Sequence, residues 1–189
     1  MNKILVLKSS PRSNGNSSTL ADQAIAGAKE AGAYVDVFDL HQLDIRPCDA
    51  CDSCRVTNGV CIIGDDMQDI YPKLRRADGI LLASPIYWFT FSAQLKSCID
   101  RWYALGSGDV HELAGKKFGI LLTYGDSDPY NSGAVNAIYT FRSMFDFIGA
   151  EIAGIVYGSA SDVGDVQQQP DLIHKAYQLG KTLLASGSG

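Results

Sequence analysis

The sequence contains no apolar run near the roughly 20 residues that a bilayer-crossing helix needs, which argues against a helical membrane span. Neither sign of charge is in large excess. Lys and Arg number 16 against 21 Asp and Glu, a net −5, and this balance argues against nucleic acid as the main partner. No signal-peptide pattern precedes the first strand-like run, so a cytoplasmic location is the expectation. Histidines are few. His41, His111 and His174 fall in separate segments and read as surface residues, so no acid–base machinery is evident. There is neither a Walker A loop nor a G-x-G-x-x-G fingerprint. No internal repeat or linker divides the 189 residues, and 46% apolar with 20% charged residues is an ordinary globular composition. One domain over residues 1–185 is expected, with a cysteine-rich loop at 47–62 and a disordered Ser-Gly tail at 186–189.

Cysteine is present and concentrated. Cys48, Cys51, Cys54 and Cys61 follow the spacing C-x2-C-x2-C-x6-C, while Cys98 lies apart in an apolar, helix-like stretch and reads as core. Thiols three residues apart make poor disulfide partners, and a reducing compartment disfavours disulfides further. They make good ligands. The spacing is similar to that which holds a [4Fe–4S] cluster. Four thiolates also suit zinc, although zinc sites usually join two separated C-x2-C arms. Redox-active thiols or unliganded loop residues are the remaining readings, and the spacing alone does not choose among these.

Short apolar runs alternate with longer periodic ones. Strands are expected at Ile4–Leu7, Tyr34–Leu40, Gly79–Ala83, Phe118–Thr123 and Ala153–Tyr157. Helices are expected at Ser18–Ala31, from Asp65 to about Arg76, and at Ser92–Leu105, Asn131–Ile148 and Pro170–Ala185. This rhythm predicts an α/β three-layer sandwich with a five-stranded parallel sheet. Ligands in such sheets bind at the carboxyl ends of the strands, which draws attention to residues 8–18, 84–90 and 124–131.

The first of these loops is dense in hydroxyls, carries Arg12 and opens a helix, so it suits a phosphate. The second, Ser84-Pro85-Ile86-Tyr87-Trp88-Phe89, places three adjacent aromatics after a buried strand and suits a flat heterocycle. The third places Tyr124 and Gly125 after a core strand.

Together, Ser10-Pro11-Arg12 with Gly15-Asn16-Ser17-Ser18, Ser84-Pro85-Ile86-Tyr87-Trp88, and Lys96 with Asp100-Arg101 resemble the flavodoxin-like NAD(P)H-dependent FMN reductases. The cysteine run followed by Asp65-Asp66-Met67 resembles the iron–sulfur flavoprotein branch. The resemblance spans residues 3–125. It implies that Ser10, Arg12, Asn16, Ser17 and Ser18 hold the FMN phosphate. Pro85, Ile86, Tyr87 and Trp88 would lie along the flavin ring, and Tyr124 and Gly125 would close the other side. Cys48, Cys51, Cys54 and Cys61 would be the cluster ligands. Lys96, Asp100 and Arg101 read as serving structure or dimerisation rather than hydride transfer. The implied activity is an oxidoreductase passing electrons from NAD(P)H or a ferredoxin-type donor to a small-molecule or protein acceptor. A cluster-free FMN or quinone reductase, a flavin electron carrier and a thiol sensor are the alternatives. The aromatic run at 87–91, with Trp102-Tyr103, leads us to expect a homodimer or homotetramer.

Overall fold

A computed structural model describes residues 2–185; the expected tail at 186–189 lies outside the described residues. Three strands form the centre of the sheet because their apolar runs are buried on both faces: β1 (Lys3–Lys8), β3 (Gly79–Tyr87) and β5 (Lys117–Tyr124). The outer strands, β2 (Tyr34–Asp39) and β6 (Glu151–Ser159), are more exposed, as sheet edges are. The order is β2-β1-β3-β5-β6 and all four pairings along it are parallel; the sixth strand, β4 (Thr90–Phe91), turns back antiparallel on the end of β3. This is the strand order of a flavodoxin-like sandwich.

Side chains along β1 alternate between two cores. Ile4 and Val6 pack with α1 (Asn16–Glu30) and α6 (Pro170–Thr182). Leu5 and Leu7 pack on the other face, with Ile70 and Leu74 of α3 (Met67–Arg76), Leu95 and Cys98 of α4 (Ala93–Asp100), and Phe141 and Phe145 of α5 (Ala134–Ile148). A short helix, α2 (Ser53–Val56), lies within the cysteine loop. Helices α1 and α6 approach so closely that a Cβ on Gly180 would stand 1.8 Å from the Ala24 carbonyl oxygen.

Several boundaries differ from expectation. α1 begins at Asn16 rather than Ser18. The expected helix over 92–105 divides into α4 and a 3-10 segment, Arg101–Gly106. α5 starts only at Ala134, after Gly133 in the left-handed region at φ 78°. β3 continues through Pro85-Ile86-Tyr87, so these residues form the end of a strand and not a loop. The aromatic run is also less exposed than expected. Phe91 stacks on Phe141 at 4.8 Å, and Trp102 is buried near Phe118.

Candidate functional site

The chain turns one way from β1 to β2 and the other way to β3, so a crevice opens at the carboxyl ends of β1, β3 and β5. Its volume is about 270 Å³, and Ser10, Arg12, Gly15, Asn16, Ser17, Pro85, Ile86, Tyr87, Thr123, Tyr124 and Gly125 line it together with Ala160 and Ser161. No His, Cys, Asp, Glu or Lys is among these lining residues.

One wall is the start of α1. The amides of Asn16, Ser17 and Ser18 precede any helical acceptor, and the first turn contains no acidic residue. The Ser17 hydroxyl is buried and has no hydrogen-bond partner. Gly15 leaves room for Ser10 here, since a Cβ would stand 2.2 Å from Ser10 Oγ. Ser10 Oγ in turn accepts from the Arg12 amide at 3.3 Å. Arg12 Nη1 donates to the Ser161 carbonyl at 2.8 Å, which holds the guanidinium at the rim.

Three expected site residues have other surroundings. The Asn16 side chain donates to the carbonyls of Ala160 and Asp162 and accepts from the amides of Gly164 and Val166. It ties down the loop after β6, leaving only its backbone facing an anion. Trp88 does not line the crevice. It occupies the β3–β4 hairpin turn at φ 49° and is 92% exposed, next to Phe89 at φ 69°. Ser18 is buried one position beyond the crevice wall.

A buried serine network fixes the second wall. Ser92 Oγ donates to Ser9 Oγ at 2.8 Å, Ser9 Oγ donates to the Ala83 carbonyl, and the Ser92 amide donates to Ser84 Oγ. The third wall is held by β6. The Ala160 amide bonds the Tyr124 carbonyl at 2.7 Å, and Ser161 Oγ donates to the Gly125 carbonyl at 2.8 Å. Burial, with Tyr157 and Asp128 adding, raises the Tyr124 phenol pKa, so its hydroxyl remains a donor. Thr123, Ala160 and Ser161 were not anticipated. Ser161 follows the last core strand, which was a signal of position but not of chemistry.

The cysteines stand elsewhere. Cys48, Cys51, Cys54 and Cys61 all line one small hollow with Ile63, Arg101, Tyr103 and Ala104, and this hollow shares no residue with the crevice. Cys48 and Cys51 are exposed, Cys61 is half-buried and Cys54 is buried. Left-handed backbone at Ala50, Asp52 and Asn58 winds the chain around the hollow. Hydrogen bonds close the base of the loop, from the Asp44 amide to Asp66 Oδ2 at 2.7 Å and from the Arg46 amide to Asp65 Oδ2 at 2.9 Å. Burial raises the Cys54 thiol pKa, and the nearby Cys61 raises it further. No cysteine among the described residues forms a disulfide. Among those residues, too, no three His, Cys, Asp or Glu side chains are grouped closely enough to hold one metal ion. Cys98 is fully buried, and its pKa is pushed up to about 12 by burial.

Lys96 and Asp100 pair on the surface at 2.5 Å, whereas Arg101 turns inward to Asp65 at 2.6 Å with both side chains at 0% exposure. Burial opposes ionisation of Asp65, but bonds from Arg101 and the Arg46 amide outweigh it and lower the carboxyl pKa. The pair therefore contributes stability above the ordinary carboxylate range, and that contribution is lost as pH falls through the lowered value.

The sequence profile of the NADPH-dependent FMN reductase family matches residues 2–162. An iron-sulfur flavoprotein of Methanosarcina thermophila is 33% identical over 168 residues, covering 89% of this chain and 83% of that protein. Among solved structures, an NAD(P)H:quinone oxidoreductase from Methanothermobacter marburgensis superposes with a TM-score of 0.75 at 18% identity, over 99% of this chain and 98% of that one. An FMN-dependent NADH-azoreductase from Bacillus anthracis, in complex with FMN, gives 0.63 at 18% identity over 96% of each chain. The two structural likenesses carry the fold.

Proposed function

Since the chain belongs to the NADPH-dependent FMN reductase family, we propose that this oxidoreductase holds FMN in the β1–β3–β5 crevice and exchanges electrons through a [4Fe–4S] cluster on Cys48, Cys51, Cys54 and Cys61. Its donor is NAD(P)H or a ferredoxin-type carrier. The observation that carries the flavin reading is Ser17, a buried hydroxyl without a partner at a helix N-terminus that has free amides and no acidic residue. Those donors fit a phosphate. Bound FMN supplies hydride uptake with release of single electrons, and a cluster supplies one-electron exchange.

The chain's residues bind and orient. Ser10, Ser17 and the amides of residues 16–18 form the anion cradle, and Arg12 places a cation at its rim. Pro85, Ile86 and Tyr87 form a wall for the ring, with Tyr124 and Gly125 opposite. Asn16 acts through the 160–166 loop, as a brace for the cradle. The absence of His, Cys, Asp, Glu and Lys from the lining matches a site whose chemistry resides in the cofactor.

The four thiols around one hollow fit a cluster. One tetrahedral zinc ion would need its thiolates drawn into a single coordination sphere, whereas a cubane spreads them farther apart. The C-x2-C-x2-C-x6-C spacing, without two separated C-x2-C arms, favours the cluster over zinc. The name of the Methanosarcina relative, iron-sulfur flavoprotein, supports the same reading. Reduced, unpaired thiols also suit a cytoplasmic setting.

Anaerobic purification with flavin, iron and sulfide determination tests this function. Equimolar FMN is expected, with a broad cluster shoulder beside the flavin bands and turnover with NAD(P)H or a reduced ferredoxin-type donor. Iron-free protein that still reduces quinones with NAD(P)H would point to the cluster-free reductase, and a retained FAD would contradict the crevice assignment.

The same reading includes a homodimer or homotetramer, because Trp88, Phe89, Tyr130, Tyr139 and Phe147 are exposed aromatics and Phe147 is 89% exposed. The hollow and the crevice share no residue within one chain, and an oligomer would allow the cysteines of one copy to face the flavin of another. Light scattering of the FMN-loaded protein is expected to give at least twice the 20.3 kDa chain mass. A concentration-independent monomer contradicts this.

A further inference from the structure

We propose that Arg101 is a positioning residue that fixes Cys61 as the fourth ligand and raises the reduction potential of the cluster, an inference that rests on the cluster reading above. Cys61 is the thiol most separated in sequence, seven residues beyond its neighbour in the motif, and it lies on the outgoing leg of the loop. One guanidinium reaches both legs and this sulfur. Arg101 Nη1 donates to the Arg46 carbonyl at 2.9 Å on the incoming leg and to Asp65 Oδ2 at 2.6 Å. Nη2 donates to Cys61 Sγ at 3.3 Å, to the Ile63 carbonyl at 3.5 Å and to Asp65 Oδ1 at 3.2 Å.

Burying this charge is costly, and Asp65 offsets the cost through a two-pronged pair. The pair alone would staple the loop. It does not require that an N–H also point at a sulfur, and Nε is left without a partner while Nη2 makes that contact. The backbone of Arg101 is itself anchored, since Tyr71 donates its hydroxyl to the Arg101 main-chain carbonyl at 2.8 Å. A cationic N–H on a ligand sulfur favours the more negative, reduced cluster, since potential follows hydrogen bonds to the sulfurs and local charge. A lysine keeps the charge but cannot reach both legs and Cys61 with one planar fork.

The test compares wild type with Arg101→Lys after anaerobic reconstitution with iron and sulfide. The readouts are FMN content, iron content, chelator resistance and the EPR-monitored potential. FMN is expected to be unchanged. The variant's cluster should lose iron to a chelator faster, and its reduction equilibrium should fall at least tenfold, which is 59 mV for one electron. An unchanged potential and unchanged chelator resistance would reduce Arg101 to a structural staple and overturn the proposal. If Arg101→Lys fails to fold, the double variant Arg101→Met/Asp65→Asn avoids an unpaired buried charge and should show the same fall. Loss of FMN from both variants overturns the proposal, because the residue would then serve the fold. Wild type that takes up no iron overturns the cluster reading itself, and is recognised before any variant is compared.

Discussion

Replacement of Cys48, Cys51 or Cys54 with alanine is expected to remove essentially all cluster iron while leaving FMN binding nearly unchanged. Each places one of four thiols around a single hollow, and the proposed cluster of the [4Fe–4S] type would need all four as ligands. The flavin is predicted to survive because the crevice and the hollow share no residue. The loop is also held by groups other than thiols. Arg75 Nη2 bonds the Gly59 carbonyl at 3.1 Å, and Gln68 Nε2 bonds the carbonyls of Cys61 and Ile63 at 2.9 and 2.7 Å. Iron and sulfide analysis beside flavin absorbance measures both halves. Wild type should carry about four irons per chain, as the cluster type requires, and the variants almost none. Transfer to one-electron acceptors should fall much more than transfer to quinones. Zinc in the wild-type protein after anaerobic preparation would favour a structural site. Neither metal, with fast reaction toward thiol reagents, would favour redox thiols. Parallel loss of FMN would mean that the two sites are not independent.

The sheet was legible because burial on both faces leaves a continuous apolar run, as in Ile4–Leu7 and Phe118–Leu122. What decides the ends of elements is tertiary. Pro85 lacks an N–H and reads as a loop residue, yet Ser84 and Pro85 align with Leu122 and Thr123 of β5 and prolong the strand. The hairpin that follows uses Trp88 and Phe89 at left-handed φ, where Asn and Gly are usual. Its support comes from α5. Asn136 donates to the Phe89 carbonyl at 3.3 Å, and Gly133 leaves room for the Phe89 backbone, which a Cβ would approach to 2.5 Å. The candidate site was legible where it lies at or just after the carboxyl end of a strand, at Ser10, Ser17, Ile86 and Tyr124. It was illegible where partners lie far apart in the chain. Asn16 reads as a phosphate ligand by position, but its side chain bonds residues 144 or more positions away. Nothing local to Arg101 points to Asp65, 36 residues earlier.

Ser17→Ala is expected to weaken FMN binding about 10- to 100-fold while changing riboflavin binding little. Ser17 lines the crevice, and its hydroxyl is buried with no protein partner, which leaves it free to bond a ligand. A hydrogen bond to a charged group contributes roughly 1.5–3 kcal/mol, and each 1.4 kcal/mol is about tenfold in affinity. Riboflavin lacks the phosphate and cannot report that bond. Arg12→Ala should discriminate in the same direction, since it removes a cation from a group carrying about −1.5 to −2 charges. It should also loosen the loop after β6, because Arg12 bonds the Ser161 carbonyl at 2.8 Å. A modest loss of riboflavin affinity is therefore expected for Arg12→Ala and not for Ser17→Ala. Raised salt should narrow the Arg12 effect, because this side chain is exposed, and leave the buried Ser17 effect nearly unchanged. Flavin fluorescence titrations of both ligands against both variants measure all of this. Equal losses for FMN and riboflavin in Ser17→Ala would remove the phosphate from the start of α1 and require the flavin to enter the crevice in another orientation.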